Sequence, residues 1–241
     1  NTSELCLWME SNNYVYGRTN NAYDPKRTVG GSSGGEGAII SAGASPFGLG
    51  SDIGGSIRMP AFFNGVFGHK PTGGLVPGTG QHPCAENEAL RFLTTGPLCR
   101  KAEDLMPLVK VMAGPDGVDS GCYDMKLGDP DDVDLTGLRY LNLRGFKRYP
   151  VHPSLKYRQQ LMVDLMKRRG CRVIDIDIPE LINYFKRKIS EINGVQEIEI
   201  DTKNDQLYTY NWPGNVRELR NLVERITILS ANESKSKINK L

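Results

Sequence analysis

The chain has 241 residues, enough for one large domain or two small ones, and its 39% hydrophobic and 24% charged residues are ordinary for a globular protein. A net charge of +2 implies neither a nucleic-acid footprint nor an acidic substrate. Cysteines 6, 84, 99, 122 and 171 are odd in number, widely spaced and form no Cys-x-x-Cys pair, so neither a disulfide framework nor a zinc site is suggested and a reducing intracellular setting fits best.

The chain starts at Asn1 with no methionine and no signal peptide, which reads as a truncated start. No apolar run approaches the roughly eighteen residues needed to cross a bilayer. Asn1-Thr-Ser3 and Asn232-Glu-Ser234 fit the glycosylation pattern, a match that chance often produces. The stretch from Gly30 to Arg58 organises the rest. Gly30, Gly31, Gly34 and Gly35 bracket Ser32 and Ser33 in a tight turn, and Gly54 and Gly55 precede Ser56, so bare backbone surrounds each serine. Between the turns, Ala38 to Ala44 reads as a short buried helix that Pro46 prevents from continuing. A flexible linker would not interleave Ile39, Ile40, Phe47, Leu49, Ile53 and Ile57. A phosphate loop over Gly50 to Gly55 would need Lys and Ser/Thr where Ser56 and Ile57 stand. A nucleophile elbow at Gly31 to Gly35 would need a buried strand in place of Pro25 to Val29, and a histidine base from His69, His82 or His152.

From Met59 to Gly80, Phe62, Phe63, Val66 and Phe67 alternate with glycines, a pattern expected of a packed segment whose aromatics enter the core. His82 and Cys84 lie close together but lack two further ligands, so no metal is expected. Apolar residues at 105, 108, 109, 111 and 112 predict a helix ended by Gly114-Pro115, and 116 to 134 reads as a surface loop. A strand over Leu138 to Leu143, a helix over Tyr157 to Arg169 and a strand over Cys171 to Ile176 give a βαβ order and an α/β architecture.

Gly-Gly-Ser-Ser-Gly-Gly-Glu-Gly from Gly30, followed by Gly-Ser-Asp-Ile-Gly-Gly-Ser-Ile-Arg from Gly50, closely resembles the core of the amidase signature family. The resemblance extends along Ser3 to Asn13, Tyr16 to Asp24, Met59 to Thr72 and Thr95 to Asp104, and within the family it points to fatty-acid amide hydrolases of the second type. It implies a partial amidase-signature fold, a mixed sheet with flanking helices, over residues 1–176. It also implies a Lys-Ser-Ser triad in which Ser56 is the acylated nucleophile and Ser32 the bridging serine, held across a cis peptide bond. A neutral lysine takes the proton of Ser56 through Ser32. Backbone N–H groups of Ile53, Gly54, Gly55 and Ser56 match the oxyanion hole, where the loss of one donor costs about a hundred- to a thousand-fold in rate. Asp52 and Arg58 flank the nucleophile and are expected to form a structural salt bridge. The implied partner is a small lipid amide, with no cofactor, no metal and no nucleic acid. The family's lysine and the membrane anchor of its second-type relatives would both precede Asn1. Neither Lys26 nor Lys70 stands in the matching context, so the chain is expected to be inactive as it stands, and membrane-associated only through that anchor.

Past Ile176 the pattern changes. Asp177 to Phe185 and Tyr210 to Arg225 resemble the helical lid of AAA+ response regulators of sigma-54-type transcription, and Arg217 matches the lid arginine that contacts nucleotide phosphates. Pro213 at a helix start and apolar residues at 216, 219, 222, 223, 226 and 229 predict an amphipathic helix. No Gly-x-x-x-x-Gly-Lys-Ser/Thr loop accompanies it, so a surface role for Arg217 is expected. The sequence therefore reads as a composite of a 1–176 amidase fragment and a 177–241 all-helical lid-like segment. The alternatives are a fragment of an ATP- and DNA-binding regulator and a non-functional fusion.

Overall fold

The computed structural model describes residues 1–83, 89, 92–143, 151–176, 178–197, 199–200 and 215–230, without the side chains of 178–179, 215–219 and 229–230. Contacts divide the chain into two units, Asn1–Asp132 and Val133–Leu241.

The first unit is built on a three-stranded antiparallel sheet. A small hairpin of β1 (Asn12–Asn13) and β2 (Gly17–Arg18) comes first, then α1 (Gly34–Ser41), β3 (Phe47–Asp52), α2 (Arg58–Asn64), β4 (Phe67–Gly68), β5 (Thr94–Cys99) and α3 (Leu105–Met112). The sheet order is β3-β5-β4, with register from Phe47 opposite Cys99 to Asp52 opposite Thr94. Ile40 of α1, Ile57 before α2, Ala61 of α2 and Leu98 of β5 form one buried core. The two helices touch closely because Gly37 has no side chain: a Cβ there would lie 2.7 Å from Asn64 Nδ2. Asn64, fully buried, donates from that nitrogen to Val29 O and Pro60 O, tying α2 to the segment leading into the serine turn.

Two expectations for this unit are corrected. Helix α1 begins at Gly34, so Gly34 and Gly35 belong to its first turn and not to the tight turn; it ends at Ser41, two residues before Gly43 adopts a φ of 76°, well short of Pro46. The aromatics of 62–67 are not core. In α2 the buried positions are Pro60, Ala61 and Asn64, one helical stripe, which turns Phe62 (63% exposed) and Phe63 outward, and Phe67 is also exposed. A second small core joins Leu75, Val76 and Val109, and Asp119 clamps the loop beyond α3 by accepting the Gly78 N–H at 2.7 Å.

The second unit opens with the predicted βαβ element. β6 (Arg139–Leu143) and β7 (Arg172–Ile176) pair in parallel, and α4 (Pro153–Arg168) connects them. α4 starts four residues before the expected Tyr157 because His152 caps it and Pro153 occupies the first turn, where a missing N–H costs nothing. α5 (Ile178–Asn193) and α6 (Asn215–Ser230) follow. Ile176 of β7, Leu181, Ile182 and Ile189 of α5 and Val223 of α6 share one core, so residues on both sides of 176 are packed together. Among the described residues no helix is long and apolar enough to cross a membrane.

Candidate active site

Two turns carry the serines singled out by sequence. The first lies before α1. There the Gly31–Ser32 peptide is cis, Ser32 is fully buried, and its Oγ has no hydrogen-bond partner. Its carbonyl accepts from Thr2 Oγ1 at 2.7 Å and lies 3.1 Å from Ser11 Oγ. Ser11 Oγ is also 3.0 Å from Gly30 O and accepts the Gly34 N–H at 2.9 Å, so one buried hydroxyl gathers the backbone on both sides of Ser32. The 8–10 segment crosses directly over the turn, where a Cβ on Gly31 would come 2.5 Å from Trp8 O.

The second turn joins β3 to α2 and carries Ser56. Its pin is Asp52, fully buried at the end of β3. Oδ1 accepts from Gly55 N (2.7 Å) and Arg58 Nη2 (2.9 Å), and Oδ2 from Ile57 N (3.1 Å), Arg58 N (3.2 Å) and Arg58 Nε (3.0 Å). Burial pushes this carboxyl up, but the Arg58 hydrogen bonds and the three backbone N–H groups outweigh it and hold it below the usual carboxylate range. The same contact raises the Arg58 guanidinium. The structural salt bridge expected of this pair is present.

Asp52 also bears on the four N–H groups expected to form an oxyanion hole. The Gly55 N–H is committed to Asp52, and Gly55 sits at φ 129°, a conformation that a side chain rarely adopts. Ile53 is exposed, Gly54 has open space on its Cβ side and Ser56 is half-buried. Among the described residues the N–H groups of Ile53, Gly54 and Ser56 make no backbone hydrogen bond. The two turns abut: Ser33 N–H donates to Ser56 O at 3.1 Å.

Lys26 is exposed, and Lys70 Nζ reaches Thr94 Oγ1 at 3.3 Å. Among the described residues no group of three or more His, Cys, Asp or Glu could hold a metal. Cys84 falls outside the described residues, as does the side chain of Arg217, whose backbone is in the first turn of α6. Sequence reasoning missed Thr2, Ser11, Asn21 and Asn64. Asn21 Nδ2 donates to Thr28 O and Phe63 O, as Asn64 does to Val29 O and Pro60 O. Ordinary polar residues in ordinary contexts carry no signal of such bonds until the fold brings them to a carbonyl.

Residues 1–237 match the family Amidase, and the chain belongs to that family. The fold agrees: a bacterial aryl acylamidase of the amidase signature enzymes superposes with a TM-score of 0.62 at 20% identity, over 96% of this chain and 49% of that one. A fatty acid amide hydrolase structure gives 0.62 at 25% identity, over 92% and 42%. In sequence the chain is 48% identical over 191 residues to fatty-acid amide hydrolase 2-A of Danio rerio, covering 77% of this chain and 35% of that protein. It is 64% identical over 115 residues to fatty-acid amide hydrolase 2 of Homo sapiens, covering 48% and 22%. The chain thus spans a fifth to about a third of the length of these two relatives. The family match runs through the segment resembling a regulator lid, and the regulator reading gains no support from it.

Proposed function

We propose that this chain carries the serine half of an amide-hydrolysing site, with Ser56 as nucleophile, Ser32 as the relay that takes its proton, and lipid amides as the substrate class. The observation that carries the reading is the Ser32 hydroxyl, fully buried and without a hydrogen-bond partner beside a turn bonded to Ser56 O. A buried hydroxyl left unmatched costs about 1–3 kcal/mol, a cost that a passive structural serine would shed by turning to a carbonyl. Attack by Ser56 Oγ on an amide carbon forms the tetrahedral oxyanion, and the N–H groups of Ile53, Gly54 and Ser56 are the donors left to receive it. Gly55 joins them only by leaving Asp52. The proton of Ser56 passes to Ser32 and then to a base, and the collapsing intermediate expels the amine and leaves an acyl-serine for water to hydrolyse.

Lipid amides follow from the names of the fatty-acid amide hydrolases that the chain resembles. Within residues 1–241 no base is assigned to Ser32. With both serines protonated near neutral pH, the chain by itself should acylate slowly. A fluorophosphonate probe with peptide mapping tests both parts. Slow labelling at Ser56 that disappears in Ser56→Ala is expected. Rapid labelling of Ser56 would refute the inactivity, and labelling at another serine would refute the assignment of the nucleophile.

A further inference from the structure

A serine hydroxyl ordinarily settles on its own stretch of backbone: its own carbonyl, the N–H two residues ahead, or the carbonyls three and four residues behind. For Ser32 these groups are Ser32 O, the Gly34 N–H, Val29 O and Thr28 O. All four are taken. Ser32 O accepts from Thr2 Oγ1 at 2.7 Å and has Ser11 Oγ at 3.1 Å. The Gly34 N–H donates to Ser11 Oγ at 2.9 Å. Val29 O accepts from Asn64 Nδ2 at 2.8 Å, and Thr28 O from Asn21 Nδ2 at 3.2 Å.

The side chains responsible come from separate parts of the first unit. Ser11 precedes β1, Asn21 follows β2 and Asn64 ends α2, and all three are buried. Each amide is fixed by a second carbonyl, Phe63 O for Asn21 and Pro60 O for Asn64, and Ser11 Oγ is held by Gly30 O as well. None of them can swing away without breaking two bonds. A carbonyl that already accepts one donor gains less from a second, which must share the oxygen and approach past the first. The Ser32 hydroxyl, fully buried and without a partner, is thereby denied the bonds that would otherwise quench it.

We propose that Ser11, Asn21 and Asn64 are positioning residues for Ser32: by occupying its local backbone partners they keep its hydroxyl unspent for proton exchange with Ser56. The inference rests on the relay reading of Ser32 and adds what that reading lacks, the reason a buried hydroxyl stays unmatched when carbonyls of its own turn lie close by in sequence. None of the three touches the reacting atoms. They act through Ser32 alone, which separates them from residues that merely hold the loops together.

The test uses the 241-residue chain and two readouts. NMR couplings to the Ser32 β-protons report its side-chain rotamer, and the rate of fluorophosphonate labelling reports Ser56. Wild type is expected to hold one Ser32 rotamer. Ser11→Ala, which frees Ser32 O and the Gly34 N–H, should shift or average the couplings and slow Ser56 labelling several-fold, and Ser11→Thr should restore both. On a Ser32→Ala background the same Ser11→Ala change should alter labelling by less than about twofold, because residues that act through one another are not additive. Unchanged couplings in a folded Ser11→Ala chain, equal slowing with and without the Ser32 hydroxyl, or a folded Ser11→Thr chain that behaves like Ser11→Ala would overturn the proposal. Should Ser11→Ala not fold, Asn21→Ala, which frees Thr28 O, takes its place under the same expectations. A wild-type chain that never labels at Ser56 sinks the nucleophile reading, and the couplings then decide the positioning by themselves.

Discussion

Asp52→Asn is the perturbation that probes the site most directly, since it keeps the shape of the residue and removes its charge. The carboxylate accepts five hydrogen bonds, three from backbone N–H groups and two from Arg58. An amide keeps one acceptor oxygen. Its NH2 must face either the Gly55 and Arg58 Nη2 donors or the Ile57 N, Arg58 N and Arg58 Nε donors, so at least one backbone N–H loses its partner. Each buried N–H left so costs about 1–3 kcal/mol. The Arg58 side chain is 55% exposed, and its share is discounted to under about 1 kcal/mol for solvent screening. The sum is a loss of about 1–4 kcal/mol, or roughly 2–16 °C in melting temperature for a chain of this size, readable by circular dichroism. Because the folded carboxyl is held below its ordinary value of 3.8, its stabilisation is present above that pH and is lost as pH falls through the lower folded value. The gap between wild type and variant should therefore be full at neutral pH and close in acid. A variant within about 0.5 kcal/mol of wild type at neutral pH, or a gap that widens on acidification, would refute the role of Asp52.

Two further substitutions test the packing. Gly37→Val should destabilise the first unit by about 1–3 kcal/mol, because its side chain enters the space held by Asn64 Nδ2, 2.7 Å from an ideal Cβ; denaturant unfolding reads the change. Val223→Ala, at 2% exposure in the core shared by β7, α5 and α6, should cost about 2 kcal/mol and lower the denaturant midpoint at unchanged slope.

Much of the second unit was legible because its signals are local. The apolar runs at 138–143 and 171–176 and the helical stretch between them became β6, α4 and β7 with ends displaced by at most four residues, since Pro153 and Gly170 punctuate the chain where the structure does. The aromatics of 62–67 misled because composition says what a residue prefers, whereas helical phase decides where it points: Ala61 and Asn64 take the inner stripe, and Phe62 and Phe63 cannot share it. At the site the glycine-bracketed serines were visible as a motif. The ligation of Gly55 N–H by Asp52 was not, because a carboxylate three residues before a glycine does not announce which N–H it will accept.

The two turns rest on one device used twice. Each is nearly bare backbone, which lets chain segments and a substrate approach but supplies no side chains to fix its own shape. Each is instead held by a single buried side chain at its edge: Ser11 for the turn of Ser32 and Asp52 for the turn of Ser56. The Ser33 N–H to Ser56 O bond joins the two results. The residues that hold the backbone of the two serine turns are therefore not the glycines that mark the motif but two polar side chains, Ser11 outside it and Asp52 within it. The pins differ in kind as well. Ser11 is neutral and insensitive to pH, while Asp52 is a charge whose hold on the Gly55 N–H would, on the proposed mechanism, compete with a developing oxyanion for that donor. On the proposed mechanism the turn of Ser56 would change its donor pattern as the oxyanion forms, whereas the turn of Ser32 would keep its hydrogen bonds.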